Sequence, residues 1–473
     1  MINADEFREH AHRFVDWMAD YLENTDRYPV KSQVKPGDIY GKIPNKPPLK
    51  SEVIDDVFRD FKELILPGIT HWQSPNFFGY FPANSSYPSL LAEMLTATLG
   101  AQCMVWETSP AAAELEEKVM NWLKQMIGLP EYFEGVIQDT ASTATLTALL
   151  TAREKLSEFH INEQGFLHNE FRIYCSAETH SSVEKAVKIA GFGRSNLVKV
   201  KVDENFRMDS KSLREAIERD LKNDIIPVCI IATLGTTGST AIDPLNEIAE
   251  IAAEYEIWLH VDAAFAGTAL ILDEYKWMIK GIEKADSFVF NPHKWMFTNF
   301  DCSAYFVKDK KSLIKTFEIN PEYLKTKTQG LVNDYRDWGI QLGRRFRALK
   351  LWFVIRNFGM DGLKNKIRLH IDLAKEFERK VADSREFEII TQRTLNLICF
   401  RFKPQNINNN TILNDLNEKL LHTVNAAGKI FITHTKLNGI YTLRMVIGQT
   451  NVTGEHVNNA WQVIQTEALK LTR

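Results

Sequence analysis

The sequence predicts an α/β protein: a large, mainly parallel sheet with helices on both faces, preceded by a helical arm and followed by a smaller α+β lobe. Three observations lead there. Between about Ser89 and Phe306, short apolar runs ("GVIQ", "RIYCSA", "LVKVKV", "PVCIIATL", "IWLHVDAA", "SFVFNP") alternate with segments of helical periodicity ("TATLTALLTAREKL", "SVEKAVKIAG", "DSKSLREAIERDLK", "DPLNEIAEIAAEY"). The runs are continuously apolar, as strands covered on both faces must be. A regular strand–helix–strand succession requires crossover connections, and these make neighbouring strands parallel.

The elements follow in order. "NADEFREHAHRFVDWMADYLEN" spaces Phe7, Phe14, Val15, Met18 and Leu22 at helical intervals, with Asn3 as a cap and Glu6 three residues on. A Pro- and Gly-rich connector leads to a second helix from about Glu52 to Leu66. Residues 1–86 form an arm with little core of its own, and such an arm packs on something else, a partner subunit being one candidate. Residues 87–356 form the large α/β domain. Residues 357–473 read as a small α+β domain, with a long helix, strands in "LNLICFRF" and "YTLRMVI", and a closing helix "TGEHVNNAWQVIQTEALKL".

Composition narrows the function. Among the 473 residues, 57 Lys and Arg against 61 Asp and Glu leave a net charge of −4, which favours neither nucleic acid nor an anionic membrane. The five cysteines are dispersed, with no CxxC, so no disulfide framework or metal site is expected. The N-terminus is charged from its fifth residue, and no apolar run approaches the ~18 residues of a membrane helix, so a soluble, cytoplasmic protein is expected.

In parallel sheets, ligands sit at the carboxyl ends of the strands. Four such ends carry chemistry. Thr140, Ala141, Ser142 and Thr143 open a helix, where free N–H groups suit a phosphate; the plainer reading is that Ser142 or Thr143 simply caps the helix. His180 follows "YCSAET" and has an ordinary structural reading too. Asp262 ends the apolar "WLHVD", where an ion pair would also account for it. Lys294 lies 32 residues further on, in "NPHKW", and alone reads as a snorkelling surface lysine. Taken together, the four match the needs of pyridoxal 5′-phosphate: a lysine to bond its aldehyde, a helix start for its phosphate, a carboxylate for its ring nitrogen and a flat ring to stack on it. Walker, GxSxG and HExxH motifs are absent, and "GFGRSN" follows a helix rather than a strand.

The segments "LPGITHWQSPNFFGYFPANSSYPSLLAEML", "SPAAAELE", "ATLGTT", "IWLHVDAAFAG", "DSFVFNPHKW", "NFDCSA", "PEYLK" and "LGRRFRALKLWFV" occur in one order along nearly the whole chain. In these the sequence closely resembles the group II pyridoxal-phosphate amino-acid decarboxylases, and within them the aromatic L-amino-acid decarboxylases. The resemblance implies a fold type I enzyme, similar in fold to aspartate aminotransferase, with a seven-stranded sheet. It also implies an intertwined homodimer with the active site at the subunit interface. By position, Lys294 would be the lysine bonded to the cofactor, Asp262 the partner of its ring nitrogen and His180 the stacking residue. Thr140, Ala141, Ser142 and Asn291 would contact the phosphate, and Thr237, Ala264 and His293 would lie beside the cofactor. Tyr323 of "PEYLK" would be the catalytic-loop tyrosine that protonates the α-carbon. Substrate-lining positions would be Trp72, Tyr80, Phe81, Pro82, His180, Met104, Phe300 and Gly343, the last where histidine-decarboxylating relatives carry serine.

That lining favours a flat aromatic side chain, and the pocket segment shows no arginine for a distal acid. The expected reaction is conversion of phenylalanine, tyrosine, dopa, tryptophan or 5-hydroxytryptophan to an arylalkylamine and CO₂. Ala83, Thr143, Gln102 and Met104 depart from the animal enzymes and leave the choice among these substrates open. Tyr323 and His180 are both retained, which favours plain decarboxylation over aldehyde synthesis. The alternatives are another fold type I reaction, such as transamination, and a non-catalytic scaffold.

Overall fold

The computed structural model describes residues 2–166, 170–319 and 331–471. The chain divides into two compact units. One holds residues 83–369 and 391–395; the other joins residues 1–82 to 370–390 and 396–473.

The first unit is built on seven strands: β1 (Glu134–Gln138), β2 (Phe171–Ser176), β3 (Leu197–Val200), β4 (Ile226–Thr233), β5 (Trp258–Asp262), β6 (Ser287–Phe290) and β7 (Ser303–Val307). Their order is β1-β7-β6-β5-β4-β2-β3. All run parallel except β7, which is antiparallel to both β1 and β6. Along β4, Cys229 and Ile231 pack with Ala144, Ala148 and Val187 of the helices Ala141–Leu156 and Ser182–Ile189. The intervening Ile230 and Ala232 are equally buried, so both faces of the strand are covered. The six apolar runs fall on β1 to β6. "SAYFV", which forms β7, is too short a run, and too close behind β6, to announce itself as a separate strand.

In the second unit the opening helix, Ala4–Glu23, starts as its sequence predicts: Asn3 Oδ1 accepts the N–H groups of Asp5 and Glu6 while Glu6 accepts that of Asn3. The next helix begins at Ile54 and loosens after Asp60 into a wide π turn over Phe61–Ile65. The two helices meet through aromatic rings, Phe14 on Phe58 at 4.3 Å and Trp17 against Phe61 at 5.4 Å. A four-stranded antiparallel sheet adds β8 (Phe387–Ile389), β9 (Leu397–Phe402), β10 (Thr433–Leu437) and β11 (Ile440–Val446), in the order β10-β11-β9-β8. Its core gathers Phe377, Phe400, Leu443 and Trp461. The helical segment Arg347–Ala382 carries the chain from one unit to the other and breaks at Gly359, whose φ of 64° only glycine adopts freely.

Candidate active site

Because β1, β2, β4, β5 and β6 are parallel, their carboxyl ends emerge along one edge of the sheet. Asp262 is the last residue of β5, opposite Thr233 of β4 and Val289 of β6, and only 5% exposed. Its Oδ1 accepts the N–H of Ala264 at 3.0 Å. Lys294 stands just past the adjacent β6, on the short helical turn Pro292–Trp295. Burial holds the Lys294 ammonium below the usual lysine range, and Asp262 opposes that shift. The same carboxylate acts on His180 and on His260, which burial pushes down to about 4. Lysine, aspartate and two histidines thus share one electrostatic neighbourhood.

His180 follows β2, at the open side of the edge. Its Nδ1 accepts the Ser182 N–H at 3.2 Å and lies 2.8 Å from the Ser182 hydroxyl, so the ring proton belongs on Nε2. Desolvation and then Lys294 lower its pKa, which leaves a neutral ring at pH 7. Thr237 is exposed in the turn after β4. That turn needs Gly235: at φ 86°, an added Cβ would sit 2.8 Å from Ala266 Cβ.

The antiparallel return of β7 frames the lysine. Ser303 Oγ donates to Asn291 Oδ1 at 2.6 Å, and the Cys302 N–H donates to His293 Nδ1 at 2.8 Å. Desolvation first, then Lys294, pushes His293 down to about 3, so this buried ring is also neutral. The exposed Phe300 ring lies 4.6 Å from it. Cys302 and Ser303 stand in the segment "NFDCSA", but their bracing contacts are not legible there, because they depend on β7 turning back beside β6.

Thr140 caps the helix Ala141–Leu156 through the Thr143 N–H (3.5 Å). The N–H groups of Ala141 and Ser142 are left without intrahelical acceptors, beside an exposed Ser142. Such a helix start draws an anion. Gly343, expected in the substrate pocket, sits beside Gln102, whose Nε2 would lie 3.4 Å from a Cβ on that glycine. Gln102 Oε1 accepts the Arg344 N–H, and the Met104 carbonyl accepts that of Arg336. Beneath them, buried Arg344 pairs with Glu116 at 2.6 Å and donates to the Ile137 carbonyl. In the second unit, Trp72 stacks on Tyr80 at 5.7 Å. There the buried guanidinium of Arg444 lies 5.7 Å from the Phe81 ring, and Pro82 packs against Gly448. Tyr323 lies outside the described residues.

A buried carboxylate, a lysine with a lowered pKa and an open helix start fit pyridoxal phosphate group by group. The comparison with known families agrees. Residues 36–403 match the pyridoxal-dependent decarboxylase conserved domain. The chain belongs to that family. Phenylacetaldehyde synthase of Arabidopsis thaliana is 45% identical, over 99% of this chain and 96% of its own. Tyrosine decarboxylase of Papaver somniferum is 41% identical over 98% and 94%. In structure, Catharanthus roseus tryptophan decarboxylase in complex with L-tryptophan superimposes with a TM-score of 0.94 at 38% identity, over 99% of both chains. This pyridoxal-dependent decarboxylase is therefore a carboxy-lyase with pyridoxal phosphate as its cofactor and a fold type I architecture. Among its described residues no cluster of three His, Cys, Asp or Glu could hold a metal ion, and no helix is long and apolar enough to cross a membrane.

Proposed function

We propose that this decarboxylase acts on an aromatic L-amino acid and releases the corresponding arylalkylamine and CO₂. The observation that carries the reading is the grouping of Asp262, Lys294 and His180 at one sheet edge, in a chain whose relatives include tyrosine and tryptophan decarboxylases. Pyridoxal phosphate, when bound, supplies an aldehyde for the substrate amine and a ring that accepts the electron pair left behind by CO₂.

The chain's own residues do the rest. Thr140, Ala141, Ser142 and Asn291 hold the phosphate, with Thr237, Ala264 and His293 alongside. Lys294 would hold the cofactor through its aldehyde, and burial favours the neutral amine that such an attachment needs. Asp262 holds a proton at the ring nitrogen and thereby stabilises negative charge that develops only during the reaction. His180 stays neutral, so it stacks without adding a competing positive charge. Tyr323 delivers the proton to the α-carbon. Trp72, Tyr80, Phe81, Pro82, Met104, Phe300 and Gly343 line the aromatic end of the substrate.

The working form is a homodimer in a reducing, cytoplasmic compartment. Support for the dimer is the helix Tyr87–Leu99, which leaves Tyr87, Leu91, Met94, Leu95 and Leu99 exposed at helical spacing. Support for the compartment is that all five cysteines are free thiols.

A second reading is favoured by the phenylacetaldehyde synthase relative: an aldehyde in place of the amine, with O₂ and water consumed and CO₂, ammonia and hydrogen peroxide released. One assay separates the two. L-Phenylalanine, tyrosine, dopa, tryptophan and 5-hydroxytryptophan are each turned over with CO₂, amine, aldehyde and peroxide quantified. Amine equal to CO₂ is expected; aldehyde and peroxide equal to CO₂ would replace the first reading with the second.

A further inference from the structure

The residue ahead of the phosphate-cradle helix is an aspartate, and its carboxylate lies on Thr140, the residue that caps that helix. Asp139 Oδ1 accepts the Thr140 N–H at 2.6 Å and lies 3.3 Å from the Thr140 hydroxyl. Its other oxygen lies 3.5 Å from Gln341 Nε2. No lysine or arginine forms a salt bridge with it among the described residues. Arg347 senses its charge only weakly, being bound to Asp301 through two hydrogen bonds of 2.9 and 3.3 Å. A half-buried anion therefore stands next to the two groups, Thr140 and the helix N-terminus, that are aimed at a phosphate dianion.

The helix start and Asp139 have opposite effects on that dianion. The open N–H groups attract it. The neighbouring carboxylate repels it and competes for the Thr140 donors, in a partly desolvated setting where like charges interact strongly. Coordination by the helix alone would hold the cofactor tightly; a fixed negative charge one residue away loosens it.

We propose that Asp139 sets the cofactor affinity of this enzyme, weakening the grip on the phosphate so that pyridoxal phosphate exchanges with the free pool. The proposal rests on the reading that Thr140, Ala141 and Ser142 hold the phosphate. Asp139 touches none of the reacting atoms; it acts through the cradle. The covalent attachment at Lys294 is the same with or without it and cancels in any comparison of variants.

The test measures cofactor binding rather than turnover. Full-length enzyme is freed of cofactor, titrated with pyridoxal 5′-phosphate and followed by tryptophan fluorescence; release from the holoenzyme is timed after dilution into inorganic phosphate. Asp139→Asn keeps the shape and removes the charge, and Asp139→Ser serves if that variant folds poorly. Kd is expected to fall by at least ~10-fold, with slower release, and the gap should narrow as salt screens the partly exposed charges. The bound phosphate should also lose its last proton at a lower pH in the variant, seen by ³¹P NMR. An unchanged or weaker affinity in Asp139→Asn overturns the proposal. Thr140→Val and Ser142→Ala distinguish the two levels. If they weaken binding while Asp139→Asn does not tighten it, only the role of Asp139 fails; if neither weakens binding, the cradle reading itself fails.

Discussion

The catalytic edge of the large sheet and the helical pair that opens the chain answer the same problem in opposite ways. At the edge, four polar groups are withdrawn from water and each is braced: Asn291 by Ser303, His293 by Cys302, Asp262 by Ala264, Arg344 by Glu116. In the opening helix no residue is buried, Phe7 and Val15 are exposed, and the contact with the second helix rests on a few rings. The first region needs only its own unit to be well defined. The second leaves apolar surface uncovered, as the proposed homodimer would require. Preorganised electrostatics demands the former, because a charged site gains from fixed dipoles only when they do not relax. Association tolerates the latter.

Substitutions at the edge should therefore be severe. Lys294→Ala is expected to remove turnover and the visible colour of the holoenzyme; a variant that stays coloured would refute the anchoring role. Asp262→Asn keeps the shape and loses the charge, and kcat should fall at least ~10²-fold, as when a preorganised electrostatic group is deleted. Near-normal turnover would detach Asp262 from the chemistry. Arg344→Ala tests the bracing itself. It strands Glu116 as a buried, unpaired carboxylate, and breaking such a pair costs about 3–5 kcal/mol. Denaturant titration should register that loss, and a double variant that also replaces Glu116 should recover part of it.

The arm should respond more mildly and more locally. Trp17→Ala removes the ring that meets Tyr21, Phe58 and Phe61. Amide exchange should quicken over Ala4–Glu23 and the equilibrium should shift toward monomer on dilution, while the sheet core keeps its protection. A variant that exchanges uniformly faster would erase the contrast between the regions.

The same contrast explains what the sequence makes legible. A buried strand must be apolar, so β1 to β6 stand out, and a charged or small residue at or shortly after a strand end is a site candidate: Asp262, Lys294 and Thr140 draw notice for that reason. Capping chemistry is local, so Asn3 and Glu6 announce their helix. β7 is not readable, because five residues close behind β6 lack a crossover helix to separate them. With β7 hidden, the contacts it brings, Ser303 on Asn291 and Cys302 on His293, are hidden as well. Arg344 and Glu116 are 228 residues apart, and nothing in either segment names the other. Asp139 looks like any polar residue ahead of a helix cap until its carboxylate is seen on Thr140. The roles of Thr237 and Ala264 come from the family resemblance alone.

The mildest prediction uses pH to weigh the braced edge. His293 and His260 sit at about 3 and 4 in the folded chain, against about 6.5 when unfolded. Between those values the unfolded state binds more protons, so both residues make stability rise with pH and fall on acidification. Asp243, buried at the end of β4 and accepting the N–H groups of Met208 and Thr233, is pushed up to about 7 by burial. It binds its proton in the folded state from about pH 4 to 7 and so contributes the opposite slope. These three groups alone, two histidines against one carboxylate, contribute a difference of about one proton between pH 4 and 6.5, or roughly 1.4 kcal/mol lost per unit of acidification. Asp243→Asn removes the opposing contribution, so the slope should steepen by about one proton. His293→Gln keeps a side chain able to accept the Cys302 N–H and removes one titrating ring, so the slope should flatten by about one proton. Denaturation midpoints at four or five pH values measure both changes, and parallel profiles for the two variants would mean that the acid sensitivity lies elsewhere than at the catalytic edge.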